Sequence, residues 1–164
     1  MSSSKIKVIK NFLPEKVFRG IHSLMLSGEF PWYYQSTVTH KELKRKNFFY
    51  FTHVFFRDNA IRSPWFHYWQ PALDKLNVKN LKRIKANIYP QKSKINFHDP
   101  HVDYEEPHQT CLVYINKNNG PTRIGNKLYY PEDNKAVVFD GKCIHQSSCC
   151  TDAHIRITVN INYN

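Results

Sequence analysis

The chain has 164 residues, of which 41% are hydrophobic and 15% aromatic; this indicates one globular domain and excludes an intrinsically disordered chain. Its formal net charge of +11, from 24 basic against 13 acidic residues, favours anionic partners such as nucleic acid, acidic proteins or anionic small molecules. No apolar run is long enough to span a membrane and no signal-peptide pattern occurs. We therefore expect a cytoplasmic protein (host cytoplasm if the source is viral), monomeric or weakly dimeric.

The basic residues and cysteines are unevenly distributed along the chain. Three of the four cysteines fall within residues 143–150 and no Cys-x-x-Cys occurs, which favours free thiols over disulfides. Two basic clusters stand out, and they contain Lys41, Lys44, Arg45 and Lys46, then Lys75, Lys79, Lys82, Arg83, Lys85, Lys92 and Lys94. A solvated surface and a binding footprint both explain such clusters, so charge alone leaves the choice open.

Two helices are predicted in the first half of the chain. Residues 14–27 have a proline in the first turn, apolar residues at helical spacing and Gly28 at the end. Ser63 and Pro64 form a good start for a second helix that runs to about Leu76. Between them, the aromatic-rich residues 47–57 predict a buried strand.

Short strands are predicted from Leu81 onward. The strand over residues 83–89 alternates, with Lys85, Asn87 and Tyr89 on one face. Further strands are predicted over residues 110–116, 135–140 and 154–162, with a hairpin over 123–130. Two helices and seven or eight strands predict an α+β, mainly β fold, a jelly-roll with the helices outside its major sheet. Residues 1–80 would be the supporting layer and 81–164 the β core of a single domain; a β-sandwich without a ligand cavity is the alternative.

A metal-binding pattern occurs at His101-Val102-Asp103. In an extended strand, residues i and i+2 point to the same face, so one cation could contact both side chains. His145 is the candidate third ligand, and His-x-Asp followed by a distant His matches the facial triad that holds non-heme Fe(II). His98 lacks a carboxylate two positions later, so His101 is preferred as the ligand.

Other histidines and cysteines near this pattern are assigned lesser roles. We expect His98 either to lie next to the metal ligands or to be a loop histidine, His108 to be a loop histidine, and His154 to lie on the surface. Cys143, Cys149 and Cys150 surround His145 in sequence, but their spacings do not suit a zinc knuckle.

The last predicted strand has one polar face. Arg156, Thr158, Asn160 and Asn162 alternate with apolar residues, so this face either meets water or lines a polar cavity. An arginine in a cavity can hold a carboxylate with two parallel hydrogen bonds, and a threonine two residues on can add a hydroxyl donor.

Together, His101-Val102-Asp103, His145 and Arg156-Ile157-Thr158 resemble the signature of the 2-oxoglutarate/Fe(II)-dependent dioxygenases, in particular small phage-type, prolyl-4-hydroxylase-like members. The resemblance implies a double-stranded β-helix. It implies that His101, Asp103 and His145 hold the iron, and that Arg156, helped by Thr158, binds the far carboxylate of 2-oxoglutarate. It further implies that Tyr89 touches that carboxylate, and Asn87, on the same face, is another candidate for the pocket.

The activity that the resemblance implies is oxidative decarboxylation of 2-oxoglutarate to succinate and CO₂, coupled to hydroxylation of a substrate. It requires Fe(II), 2-oxoglutarate and O₂, with ascorbate as a candidate stimulant. Halogenating members have a small residue in place of the carboxylate, so Asp103 favours hydroxylation. The favoured substrate is a peptidyl proline or another protein residue.

Two alternatives stay open from the residues. The basic surplus favours a nucleic-acid-modifying oxygenase, although the demethylase branch has a second arginine in the pattern Arg-x-Asn-x-Thr-x-Arg, which residues 156–162 lack. The second alternative is a non-catalytic protein, either a jelly-roll with a structural metal or a basic nucleic-acid-binding module.

Overall fold

The computed structural model describes residues 6–38 and 49–164. The predicted basic cluster at residues 41–46 and the start of the predicted strand at residues 47–57 lie outside the described residues. Within them, the chain is mainly β, with two α-helices and two antiparallel sheets.

The helices begin and end where the local signals predict. Helix α1 spans Glu15–Leu26 and follows Pro14. The predicted second helix begins as a 3-10 helix, Pro64–Trp69, and the Ser63 hydroxyl accepts a hydrogen bond from the Trp65 amide at 3.3 Å. Helix α2 follows as Gln70–Leu76, because Pro71 lacks the amide proton that would continue the earlier turns but suits a first helical turn.

Eleven strands form in the described part of the chain. The large sheet runs in the order β1-β9-β6-β11-β5-β3-β2, with β4 added beside β3, and the small sheet runs β10-β7-β8. The strands are β1 Lys7–Ile9, β2 Tyr33–Gln35, β3 Tyr50–Arg57, β4 Ala60–Ile61, β5 Leu81–Pro90, β6 Gln109–Tyr114, β7 Thr122–Ile124, β8 Lys127–Tyr129, β9 Lys135–Asp140, β10 His145–Gln146 and β11 Ile155–Tyr163.

The large sheet has different neighbours on its two faces. One face carries the main core, where Ile157, Val159 and Ile161 of β11 are fully buried in the same cluster as apolar side chains of both helices. The other face meets the small sheet, where Leu112 and Phe139 pack with Ile124 in a second cluster. The polar face of β11 is turned towards that second side, where Arg156, Thr158 and Asn162 are buried and Asn160 is partly buried. The sequence allowed this face either to meet water or to line a polar cavity, and in the structure it lines a cavity.

Four strands had no sequence signal. β1, β2, β4 and β10 are two or three residues long, too short for an alternating pattern to stand out. The predicted hairpin at 123–130 is present as β7 and β8, with Gly125 in the left-handed region at a φ of 56°. Among the described residues, no helix has the length and apolarity needed to cross a bilayer.

Candidate metal and cosubstrate site

His101, Asp103 and His145 converge on one point between the two sheets. Their candidate ligand atoms all lie within 4.8 Å of one another. The backbones of His101 and His145 exchange two hydrogen bonds, of 3.1 and 3.0 Å, which brings the two rings to a centroid separation of 4.6 Å. The sequence placed His101 and Asp103 on a strand; instead His101 forms an isolated bridge and Asp103 lies in a bend. The long-range bridge, not a continuous strand, brings the side chains together.

Both imidazoles present the same nitrogen to this point. His101 Nδ1 lies 3.1 Å from the Asp99 carbonyl and His145 Nδ1 lies 3.1 Å from the Cys143 carbonyl. A carbonyl only accepts, so each Nδ1 carries a proton, and in the neutral ring the lone pair is therefore on Nε2. His145 Nε2 is buried and has no hydrogen-bond partner within the described chain. Burial lowers the pKa of His145, which favours the neutral form that binds a metal.

The Asp103 carboxylate is held on both oxygens. Oδ1 forms an ion pair of 2.7 Å with Arg83, and Oδ2 accepts from the side-chain amides of Asn162 at 2.9 Å and Asn160 at 3.3 Å. Burial by itself would raise the pKa of Asp103, but the positive charges of Arg83 and Lys85 and the Asn162 hydrogen bond hold it well below its usual range. Asp103 is therefore ionised, as a metal ligand must be.

Arg156 is fully buried and has one nitrogen to spare. Its Nε donates to the Gly120 carbonyl at 2.8 Å and one terminal nitrogen donates to the Thr122 hydroxyl at 2.7 Å. The other terminal nitrogen is buried without a hydrogen-bond partner in the described chain. An unsatisfied charged donor is costly to bury, so this geometry suits an anion that arrives from the cavity.

The remaining predicted pocket residues lie around Arg156. The guanidinium of Arg156 sits 5.3 Å from the Tyr89 ring centre, and Tyr89, Thr158 and Asn87 all line the cavity that contains the triad. Tyr89 also stacks against Tyr50, with ring centres 5.5 Å apart. The structure thus brings all seven predicted site residues to one cavity; their chemical roles remain predictions.

Two residues beside the cavity were not identified as site residues from the sequence. His98, predicted to lie either next to the metal ligands or in a loop, is buried, stacks on Tyr89 at 5.0 Å and has Nδ1 2.7 Å from the Ser147 hydroxyl. Burial, with the nearby positive charge of Arg156 and the His101 ring, lowers the pKa of His98 to about 3. Lys85 lines the cavity, and burial lowers its pKa to about 8. The alternation of residues in β5 was the available signal for Lys85, and the position of His98 just before the His-x-Asp pattern was the signal for His98.

The other expectations for nearby residues can be compared with the structure. His154 is exposed, as predicted. His108, predicted as a loop histidine, is buried, with Nδ1 2.8 Å from the Glu106 carbonyl. None of the four cysteines forms a disulfide bond, and none joins the possible metal-ligand group found among the described residues.

The donor set suits a non-heme iron better than a structural zinc. Two imidazoles and one carboxylate are the ligand types of the facial triad, which leaves other coordination positions of the metal free. Structural zinc sites are closed and usually contain cysteine thiolates. The unpartnered Nε2 of His145 and the ionised Asp103 fit a divalent cation at this point.

Comparison with solved structures places this geometry in a known fold. A prolyl-4-hydroxylase from Pseudomonas putida is similar over 99% of this chain and 94% of its own, with a TM-score of 0.70 and 12% identity. A prolyl hydroxylase from Trichoplax adhaerens, solved in complex with a peptide fragment of the hypoxia inducible factor oxygen degradation domain, is similar over 98% of this chain and 84% of its own (TM-score 0.67, 14% identity). A 2OG-Fe(II) oxygenase family oxidoreductase from Burkholderia pseudomallei is similar over 96% of this chain and 84% of its own, with a TM-score of 0.71 and 10% identity.

The chain therefore has the fold of the 2-oxoglutarate/Fe(II) oxygenases, including prolyl hydroxylases. The resemblance drawn from the sequence motifs is confirmed at the level of the fold. No protein-family model matches the sequence, and no curated protein matches it.

Proposed function

We propose that this protein is an Fe(II)- and 2-oxoglutarate-dependent dioxygenase that hydroxylates its substrate. One observation carries the proposal: the metal-ligand triad and a fully buried arginine with an unpartnered nitrogen line the same cavity. Neither a structural metal nor a bare jelly-roll would need that arginine. We propose further that the two facing sheets are the double-stranded β-helix, or jelly-roll, of this family, and that residues 1–164 are one domain.

Each side chain has a defined task in this proposal. His101, Asp103 and His145 hold the iron, with Nδ1 of each histidine fixed by a carbonyl so that Nε2 faces the metal. When bound, Fe(II) with 2-oxoglutarate and O₂ supplies the oxidation that yields succinate, CO₂ and a hydroxylated product.

The cosubstrate pocket lies at the other end of the cavity. Arg156 binds the far carboxylate through its free nitrogen, and Thr158 adds a hydroxyl donor. Tyr89 stacks against the guanidinium and, with Asn87, closes the pocket around the carboxylate. The Arg156 side chain is pre-oriented by Gly120 and Thr122, so little ordering is needed on binding.

A protein residue, with proline first, is the favoured substrate class. Two of the similar structures are prolyl hydroxylases, and one of them holds a peptide. This supports a peptide substrate without naming its sequence.

The test begins without substrate. Under anaerobic conditions, Fe(II) plus 2-oxoglutarate should give a weak visible charge-transfer band, and air should then allow slow, uncoupled formation of succinate. We expect His145→Ala and Asp103→Ala to abolish both signals because each removes a metal ligand. His154→Ala is the matched control, since His154 is exposed and outside the triad. Unchanged succinate formation by the Asp103→Ala protein would contradict the proposal.

Arg156→Lys separates cosubstrate binding from metal binding. A lysine keeps the charge but loses the paired donors, and hydrogen bonds to charged groups contribute about 1.5–3 kcal/mol. We therefore expect the KM for 2-oxoglutarate to rise about 10- to 100-fold while Fe(II) affinity stays close to wild type. Equal losses of both affinities would instead indicate a collapsed site.

A further inference from the structure

Lys85 is a cation in the cavity that the proposed chemistry does not use. It lies on β5 and lines the same cavity as the triad. Its ammonium group is 5.8 Å from the centre of the Tyr50 ring. Among the described residues, no carboxylate pairs with this ammonium and no hydrogen-bond acceptor reaches it.

The neighbouring arginines form close ion pairs, whereas Lys85 interacts with the Asp103 carboxylate only at longer range. Arg83 pairs with Asp103 at 2.7 Å, and Arg57 lies 3.3 Å from Asp58. Lys85 is partly exposed, so its ammonium meets water, and a carboxylate in the cavity would replace that water with a charge-assisted hydrogen bond. The ammonium of a cavity-lining lysine gains a favourable electrostatic interaction when an anion occupies the space in front of it.

Lys85 and Arg156 lie at different levels of the sheet. Arg156 is paired with Tyr89, whereas Lys85 is paired with Asn160. Four residues along a strand span about 13 Å. Asp103 is bonded to Asn160 and Asn162, so the metal-ligand end of the cavity is level with Lys85. A cosubstrate anchored at Arg156 thus reaches the metal from the opposite end.

We propose that Lys85 binds a carboxylate group of the substrate, placing a nearby C–H bond at the metal. This inference rests on the proposed function and names the chemistry of its substrate. A single ammonium matches the single charge of a carboxylate. Asn160, which lines the cavity and is paired with Lys85 across the two strands, supplies a neutral donor for the second carboxylate oxygen. The carboxylate belongs either to a free acid or to an acidic side chain of a peptide.

The binding test uses acetate as the probe and acetamide as its neutral counterpart. Zn(II) replaces Fe(II) to keep the sample diamagnetic, 2-oxoglutarate is saturating, and the lysine side-chain Cε and Nζ resonances are followed by NMR. We expect acetate, but not acetamide, to shift the Lys85 resonance saturably. In Lys85→Met protein, acetate affinity read from the Asn160 side-chain amide should fall at least 10-fold. Lys94→Met is the matched control, because Lys94 is exposed.

Three results would overturn the inference. The Lys85 resonance could fail to respond to acetate, respond equally to acetamide, or respond only when 2-oxoglutarate is absent, in which case Lys85 binds the cosubstrate. The Fe(II) charge-transfer band is measured on the same protein. A band with a silent Lys85 resonance rejects this inference alone, whereas an absent band rejects the proposed function and the inference with it.

A final titration distinguishes the two sources of the carboxylate. L-Aspartate and an acetylated, amidated tripeptide with a central aspartate replace acetate under the same conditions. Tighter saturation by the amino acid assigns a free acid, and tighter saturation by the tripeptide assigns an acidic residue within a peptide.

Discussion

Asp103 shows how single residues prepare this site for a cation. An isolated buried carboxylate would take up a proton, but an arginine and two amides surround both of its oxygens. The charge is therefore retained before any metal arrives, and the carboxylate has one orientation. The residues that hold a ligand in place commonly matter for metal affinity nearly as much as the ligand itself.

The two asparagines of β11 provide a graded test of this idea. Asn162 donates to Asp103 at 2.9 Å and is fully buried, whereas Asn160 donates at 3.3 Å and is partly exposed. We expect Asn162→Ala to weaken divalent metal binding about 10- to 100-fold, because the carboxylate loses its better-placed donor. Asn160→Ala should cost less. The measurement is a Co(II) titration followed by visible absorption, and an equal affinity in both variants would argue against orientation by hydrogen bonding.

Strand β11 contributes side chains both to the hydrophobic core and to the site. Its odd-numbered residues pack with the helices, while Arg156, Thr158 and Asn162 are buried on the opposite face. A period of two was enough to predict this division from the sequence. The strand pairs with β5 on one side and β6 on the other, so its side chains lie at the centre of the large sheet, where they are held rigidly.

The turn before β7 positions Arg156 through Gly120. Its carbonyl accepts from Arg156 Nε, and a Cβ at this position would lie 2.8 Å from Arg156 Cδ and 2.5 Å from the Cys149 carbonyl oxygen. We expect Gly120→Ala to displace the guanidinium, raise the KM for 2-oxoglutarate about 10-fold and lower stability by roughly 1–3 kcal/mol. Steady-state succinate assays and thermal unfolding measure the two effects.

Gly28→Ala is the matched control for this substitution, because nothing lies within 4 Å of a Cβ at Gly28. It should leave both quantities close to wild type. A Gly120→Ala protein with an unchanged KM would show that the position of Arg156 does not depend on this turn.

Three buried histidines make the stability of the whole molecule depend on pH. Burial lowers the pKa of His53, His98 and His145, and that of His98 to about 3. In the unfolded chain these histidines take up protons near pH 6.5, whereas in the folded chain they stay neutral to a lower pH. The contribution of these histidines to the free energy of unfolding is therefore fully present above about pH 6.5, and it is lost as the pH falls towards 3.

His98→Asn isolates part of this acid sensitivity. One pKa unit corresponds to about 1.4 kcal/mol, so His98 alone accounts for a few kcal/mol across this pH range. Without metal, the Tm of wild-type protein should fall more steeply between pH 7 and pH 4 than that of His98→Asn protein. The exposed His154→Asn protein should follow the wild type; identical slopes in all three proteins would mean that His98 is protonated freely in the folded state.

Local patterns in the sequence were sufficient for the main elements and for the identity of the candidate site residues. Helix α1, the 123–130 hairpin and the two faces of β11 follow from the spacing of apolar residues and from turn residues, which act over a few neighbours. The order His101, Asp103, His145 and Arg156 likewise needs no coordinates to be recognised.

Long-range contacts decided the rest. His101 reaches His145 through a single bridge, Arg83 pairs with Asp103, and His98 is buried beside Tyr89. Each contact joins residues that are distant in sequence or belong to irregular segments, where spacing carries no information about direction. Whether the polar face of β11 met water or lined a cavity depended on the small sheet that covers it, and that is a property of packing alone.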